Sequence, residues 1–118
     1  MKKILPLLAL LTGVTGIAQC PPPTDLTYSM VNGQDALLAW TESGEAIQWE
    51  IAIVPDFFIG APLPSFVDFT TASNPLVISN APITSGCIVY FVRSSCSPTE
   101  QSPWVGVGTS GCPPGILS

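Results

Sequence analysis

Alternation of apolar and polar residues is clearest in the segment Ile47–Val54. Trp49, Ile51 and Ile53 fall on one face of an extended chain, and Glu50 falls on the other. Successive side chains of a β-strand point to opposite faces, so this pattern is typical of a strand with one buried face. The segment is therefore predicted to be a half-buried strand, the third in the chain.

Six other short segments are rich in β-prone residues and are bounded by turn signals, of which Asn32-Gly33 is the strongest. In chain order they are Leu26–Met30, Ala36–Trp40, Phe66–Thr71, Leu76–Ser79, Cys87–Cys96 and Trp104–Thr109. No segment has a helical period, so the pattern predicts an all-β fold, a seven-stranded antiparallel two-sheet sandwich. The inward positions predicted to form its core are Leu38, Trp40, Trp49, Ile51, Ile53, Ile78, Ile88, Tyr90 and Val92.

The first 18 residues have the pattern of a secretory signal peptide. Lys2 and Lys3 precede an apolar run, and small residues lead to a cleavage site between Ala18 and Gln19. The run is too short for the ~20 residues that span a bilayer, which argues against an N-terminal anchor. An alternative is lipidation at Cys20, although Gln19 stands where lipoprotein cleavage normally requires a small residue. We expect a secreted or cell-surface protein.

Cleavage would leave one cation, Arg93, against eight carboxylates, a formal net charge of −7. Such a chain cannot neutralise phosphates, which argues against nucleic acid and anionic membranes as partners. The chain has no histidine, which excludes His-based catalysis and His metal sites. We expect no cofactor, no metal and no membrane span in the mature chain, and the oligomeric state stays open.

Several motifs resemble those of a fibronectin type III domain, in particular the cysteine-containing repeats of secreted and surface proteins of Bacteroidota. They are Cys20-Pro21-Pro22, Trp49-Glu50, Phe91-Val92-Arg93-Ser94-Ser95-Cys96 and Ser102-Pro103-Trp104. The resemblance implies one type III-like domain over residues 19–112. Where the family usually has a tyrosine that holds the preceding turn, this chain has Ile88, and Cys87 is expected to hold that turn instead. Cys112-Pro113-Pro114 repeats the Cys-Pro-Pro start, so residues 113–118 are either a disordered tail or the remnant of a next repeat.

Four cysteines allow three disulfide pairings. If Cys87–Cys96 is one strand, its ends lie about 30 Å apart, far beyond the ~7 Å between Cα atoms that a disulfide tolerates. An up-down strand order brings Cys20 near Cys96 and Cys87 near Cys112, and these two bridges are predicted. The spacings lack the Cys-X-X-Cys pattern of a zinc site.

No catalytic set is evident. Glu42 and Glu45, like Asp56 and Asp68, are better explained as solvated acids than as the carboxylate pair of a glycosidase. Trp40, Trp49 and Tyr90 could form a carbohydrate-stacking surface, but their register favours the core, whereas Trp104 is expected to be partly exposed.

The apolar loop Pro55–Phe66 is the main candidate contact surface, through Phe57, Phe58 and Ile59. The alternative is that these side chains fold back over a sheet. The loop Ser97–Pro103 is a second candidate. We expect a non-catalytic module for adhesion, spacing or protein interaction at the cell surface. The alternative is an accessory carbohydrate- or protein-binding domain of an exported hydrolase system.

Overall fold

The structure is a computed structural model that describes residues 20–82 and 86–117. These residues form an all-β fold whose strands are β1 (Thr24–Val31), β2 (Asp35–Thr41), β3 (Gln48–Val54), β4 (Phe69–Thr71), β5 (Leu76–Ile78), β6 (Val89–Ser97), β7 (Glu100–Gln101) and β8 (Val105–Gly108). None of the described segments is a helix long and apolar enough to cross a membrane. The predicted leader and its cleavage site between Ala18 and Gln19 lie outside the described residues.

The strands form two antiparallel sheets, as the alternating pattern predicts. The first sheet has the order β1-β2-β5. In the second sheet β4 pairs with β3, β3 pairs with β6, and β6 pairs on its other side with both β7 and β8. The two sheets enclose a core, which makes the fold a β-sandwich.

The core between the sheets contains the side chains that alternation assigns to inward faces. The Trp40 and Trp49 rings meet edge to face with centroids 5.4 Å apart. Of the predicted core residues, Ile53 is only half-buried at the margin, because it lies near the end of β3. The others are buried: Leu38, Trp40, Trp49, Ile51, Ile78, Ile88, Tyr90 and Val92.

A second apolar cluster, which the sequence did not predict, covers the outer face of the second sheet. Val89 and Phe91 of β6 point away from the first core, yet both are buried. They pack with Ala52, Phe57 and Cys87, and with the half-buried Ile116. Residues 113–118 were predicted to be a disordered tail or the remnant of a next repeat, but Ile116 packs against the sheet and contributes to this cluster.

Most strand ends lie within one or two residues of the predicted ones, and two departures are larger. β4 begins at Phe69 rather than Phe66, because the Asp68 carboxylate accepts the N–H of Ile53 at 2.7 Å and takes the place of a backbone partner. The loop predicted at Ser97–Pro103 contains the two-residue strand β7, so the described chain has eight strands instead of seven.

Both predicted disulfides are present, and they mark the two ends of the sandwich. Cys20–Cys96 joins the start of the first sheet to the end of β6, with Cα atoms 5.8 Å apart. Cys87–Cys112 joins the start of β6 to the segment after β8, with Cα atoms 4.3 Å apart. We call these ends the Cys20 pole and the Cys87 pole.

The corner at Ile88 is held by more than the disulfide. The N–H of Thr109 donates to the Ile88 carbonyl at 2.9 Å, and the Ile88 N–H donates to the Thr109 hydroxyl at 3.3 Å. Part of the preceding turn, residues 83–85, lies outside the described residues. The sequence-based expectation named only Cys87, and Thr109 adds the hydrogen bonds.

Candidate functional site

Glu42 is held by hydrogen bonds from two other strands and from its own turn. Its carboxylate accepts hydrogen bonds from the Trp49 indole and the Ser94 hydroxyl, both at 2.8 Å, and from the N–H of Gly44 at 2.9 Å. Burial acts to raise the pKa of Glu42, but these hydrogen bonds to the charged form outweigh it and lower the pKa. Glu42 thereby ties the β2–β3 turn to β3 and β6.

The other acidic side chains have separate local surroundings. Asp68 binds the backbone of β3, and Asp56 adopts a left-handed turn conformation with φ of 56° just before Phe57. Glu50 accepts a hydrogen bond from the Arg93 guanidinium at 2.7 Å. In residues 20–82 and 86–117, no group of three or more Cys, Asp or Glu side chains could hold a metal ion.

The Arg93 side chain has two intramolecular partners, Glu50 and Trp104. Besides Glu50, its guanidinium contacts the Trp104 ring, with the Cζ atom 4.3 Å from the ring centroid. Trp104 is half-buried and also meets Phe91 edge to face. The cation that the mature chain would keep is therefore committed to intramolecular contacts.

The buried aromatic residues do not form a surface for stacking sugars. Trp40, Trp49 and Tyr90 are all within the core. The Tyr90 hydroxyl has no hydrogen-bond partner among the described residues, and burial, followed by the nearby Tyr28, raises the pKa of Tyr90 to about 12. The core position predicted for these three residues is the one they occupy.

In the Phe57–Ile59 segment of the loop between β3 and β4, one apolar side chain folds back over the sheet and two are exposed. Phe57 is turned inward and is only 7% exposed, because its N–H donates to the Cys87 carbonyl at 2.9 Å and its ring packs 5.5 Å from that of Phe91. The prediction that Phe57 is a contact residue is therefore wrong. Phe58 and Ile59 point outward and are 63% and 61% exposed. The loop therefore exposes two apolar side chains on a backbone that the contacts of Phe57 with Cys87 and Phe91 hold in place.

Further apolar side chains are exposed along the same connection and beyond it. Exposed large apolar side chains are uncommon in such a run on a monomeric surface, and contiguous patches of them mark contact sites. Alternation within single strands does not mark these residues, which are Leu63, Phe66, Val67, Phe69 and Val77.

A groove of about 290 Å³ separates the free edges of the two sheets. One wall is β4 and the other is β5 with the adjoining Ser79. Alternation along single strands could not have revealed this groove, because it forms only where two strands from different sheets come together.

A second groove, of about 550 Å³, lies toward the Cys20 pole, and its lining combines the apolar surface of Ile47, Cys96 and Pro98 with several polar side chains. It includes Gln48 and Glu50 of β3, Thr70 of β4, Ser95 of β6 and Gln101 of β7. Part of the predicted Ser97–Pro103 surface contributes to it, whereas Ser102 of that loop is buried.

No protein-family model matches the chain, and no curated protein is significantly similar to it.

Proposed function

We propose that this chain is a non-catalytic, exported β-sandwich module that binds a protein partner at the cell surface, in adhesion or surface assembly. The observation that carries the proposal is the exposure of Phe58 and Ile59 on a loop that Phe57 anchors. Because this loop is already held in place, it loses little conformational entropy on binding. Most of the free energy gained by burying its exposed apolar side chains can therefore contribute to affinity. A mere spacer would have no need to expose them.

Export is supported by the two disulfides together with the N-terminal pattern. Disulfides form and persist in oxidising surroundings outside the cytoplasm, and two of them are present here. The basic and apolar pattern of residues 1–18 supports secretion through a signal peptide, with a lipid anchor at Cys20 as the alternative.

The order of strands supports the resemblance to a type III domain. β4 pairs with β3 in the second sheet, whereas the fourth strand of a constant-type immunoglobulin domain joins the first sheet. Domains of this sandwich architecture are frequent in cell-surface proteins, which fits a role in adhesion, although one fold serves many functions.

The test is binding of the fluorescently labelled mature chain to cells of the source organism. Replacing both exposed residues in a Phe58→Ser/Ile59→Ser variant should weaken binding by at least about tenfold, because it removes apolar contact area worth more than 1.4 kcal/mol. Ile47→Ser is the matched control, because Ile47 is equally apolar and 78% exposed but lies before β3. Equal binding by all three proteins, or no binding by any, would contradict the proposal and favour a spacer.

A second candidate function is glycan binding by an accessory domain of an exported hydrolase system. The groove near the Cys20 pole favours it, since its amide, hydroxyl and carboxylate groups suit sugar hydroxyls. Binding on a glycan array that is lost in Gln48→Ala/Gln101→Ala and kept in Phe58→Ser/Ile59→Ser would support this candidate over protein binding.

A further inference from the structure

We propose that the groove between β4 and β5 binds an extended segment of a partner protein, uncharged along the groove and flanked by Lys or Arg at the Cys87 pole. The inference rests on the proposed role in protein binding, but it concerns a different surface from the Phe58 loop. The segment would pair with the free edge of β4 and place alternate side chains in the groove.

The groove lies between the open edges of both sheets. β4 ends the order of the second sheet and β5 ends that of the first, and within the described residues no strand covers the outer side of either. A free edge presents unpaired N–H and C=O groups to which an extended chain can add. β4 is the better acceptor of the two, because β5 follows directly after Pro75, and proline is a usual protection of sheet edges.

The lining determines what kind of segment fits. Every side chain that lines the groove is uncharged, and Phe69 and Val77 remain 45% and 52% exposed. Each wall has a strand of three residues, about 10 Å long at the rise of a β-strand. A partner with three or four residues of β-prone, uncharged sequence would fill this length.

One mouth of the groove is acidic. The start of β4 and the end of β5 both lie toward the Cys87 pole, since Phe69 pairs with Ile51 and Ile78 pairs with Ala36. Asp68 directly precedes Phe69, and Asp35 directly precedes Ala36. The Asp68 Oδ2 atom accepts the Ile53 N–H and the Asp35 Oδ1 atom accepts the Asn80 N–H, so each carboxylate is oriented and keeps one oxygen for a partner.

Charge complementarity distinguishes a foreign segment from a second copy of this chain. The mature sequence offers one cationic side chain, Arg93, which is held by Glu50 and Trp104. A second copy therefore has no free cationic side chain to place beside Asp35 and Asp68. A partner segment with a flanking Lys or Arg has one, and we assign the groove to such a segment.

The experiment selects short random peptides, displayed on phage, for binding to the immobilised mature chain. We expect enrichment of peptides that have an uncharged, β-prone run with Lys or Arg on one flank. A synthetic peptide of the enriched sequence should bind at least about tenfold more weakly to Phe69→Lys/Val77→Lys, which blocks the groove at two exposed positions. It should bind equally well to the surface control Leu117→Lys, because Leu117 is 43% exposed and lines neither groove. Asp35→Asn/Asp68→Asn keeps both backbone hydrogen bonds and should weaken binding several-fold and reduce its salt dependence.

The proposal is overturned if no such peptides are enriched, or if the peptide binds Phe69→Lys/Val77→Lys as tightly as wild type. It is also overturned if sedimentation shows a wild-type dimer that the same variant abolishes, because the occupant would then be a second copy. Loss of peptide binding in Phe58→Ser/Ile59→Ser alone would assign the peptide to the loop. Since the cell-binding assay with that loop variant is read separately, failure of the groove and failure of the proposed function are distinguishable.

Discussion

The Glu42 carboxylate connects β3, β6 and its own turn at the Cys20 pole of the sandwich. Its four hydrogen-bond donors come from β3, β6 and its own turn, and include the N–H of Ala46 at 3.3 Å. Hydrogen bonds to a charged acceptor are stronger than those between neutral groups. Glu42 therefore stabilises the fold at the Cys20 pole, although the residue type and spacing alone suggested a solvated acid.

Replacing Glu42 with Gln should lower the free energy of unfolding at pH 7 by about 1–2 kcal/mol, because the amide cannot accept from all of these donors. Glu45→Gln, an exposed position on the same turn, should change it by less than about 0.5 kcal/mol. Urea unfolding of the three proteins measures both values.

The effect of Glu42 depends on pH in a defined direction. The pKa of Glu42 is lowered by folding, so its contribution to stability is present above the unfolded-state pKa, about 4.3, and is lost as pH falls through the folded-state pKa. The difference between wild type and Glu42→Gln should therefore shrink in acid. A difference that stays constant down to pH 2 would exclude this carboxylate as its source.

At the scale of single elements, the β3–β4 loop and β6 depend on each other. β6 is apolar on both faces along Val89–Val92, and the loop covers the outer face with Phe57. The contact between the Phe57 N–H and the Cys87 carbonyl fixes the direction in which the loop leaves β3. This direction determines which of the two neighbouring phenylalanines is buried.

Phe57→Ala should destabilise the fold by about 3 kcal/mol, the loss expected for removing a buried aromatic side chain. Phe58→Ala changes the adjacent, exposed ring and should alter stability by less than about 0.5 kcal/mol. Guanidinium unfolding of both variants tests the assignment. Equal losses, or a larger loss for Phe58→Ala, would mean that the loop is oriented differently.

The alternation of residues predicted the position of β6 but left its outer face ambiguous. An apolar residue on an outward face can be exposed or can be covered by a distant segment, and the local pattern is the same in both cases. The covering groups Phe57 and Ile116 come from distant parts of the chain. For this reason the pattern predicted the exposure of Phe58 and Ile59 but not the burial of Phe57, and it missed the second cluster.

At the scale of the whole molecule, the two disulfides close loops of different length at opposite ends. Cys20–Cys96 spans 76 residues and Cys87–Cys112 spans 25. In the chain-entropy model a longer closed loop restricts the unfolded chain more strongly. Each disulfide is expected to stabilise the sandwich by about 2–4 kcal/mol.

Replacing Cys20 and Cys96 together by Ser should be more destabilising than replacing Cys87 and Cys112, by about 1 kcal/mol from the ratio of loop lengths. Denaturant unfolding of the two double variants measures the order. The reverse order would show that the contacts of Ile116 and Thr109 at the Cys87 pole outweigh the loop-length term.

The sequence by itself determined the all-β class, the positions of the main strands, most of the inward side chains and the pairing of the four cysteines. The first three follow from the two-residue period of strands, and the pairing follows from the length of β6 together with an up-down strand order. Only the tertiary structure decided that Phe57 is buried while Phe58 is exposed, and that the free edges of β4 and β5 form a groove. The burial of Phe57 depends on contacts with a segment far away in sequence, and the groove exists because β4 and β5, although close in sequence, join different sheets. A periodic pattern within one segment carries no information about either.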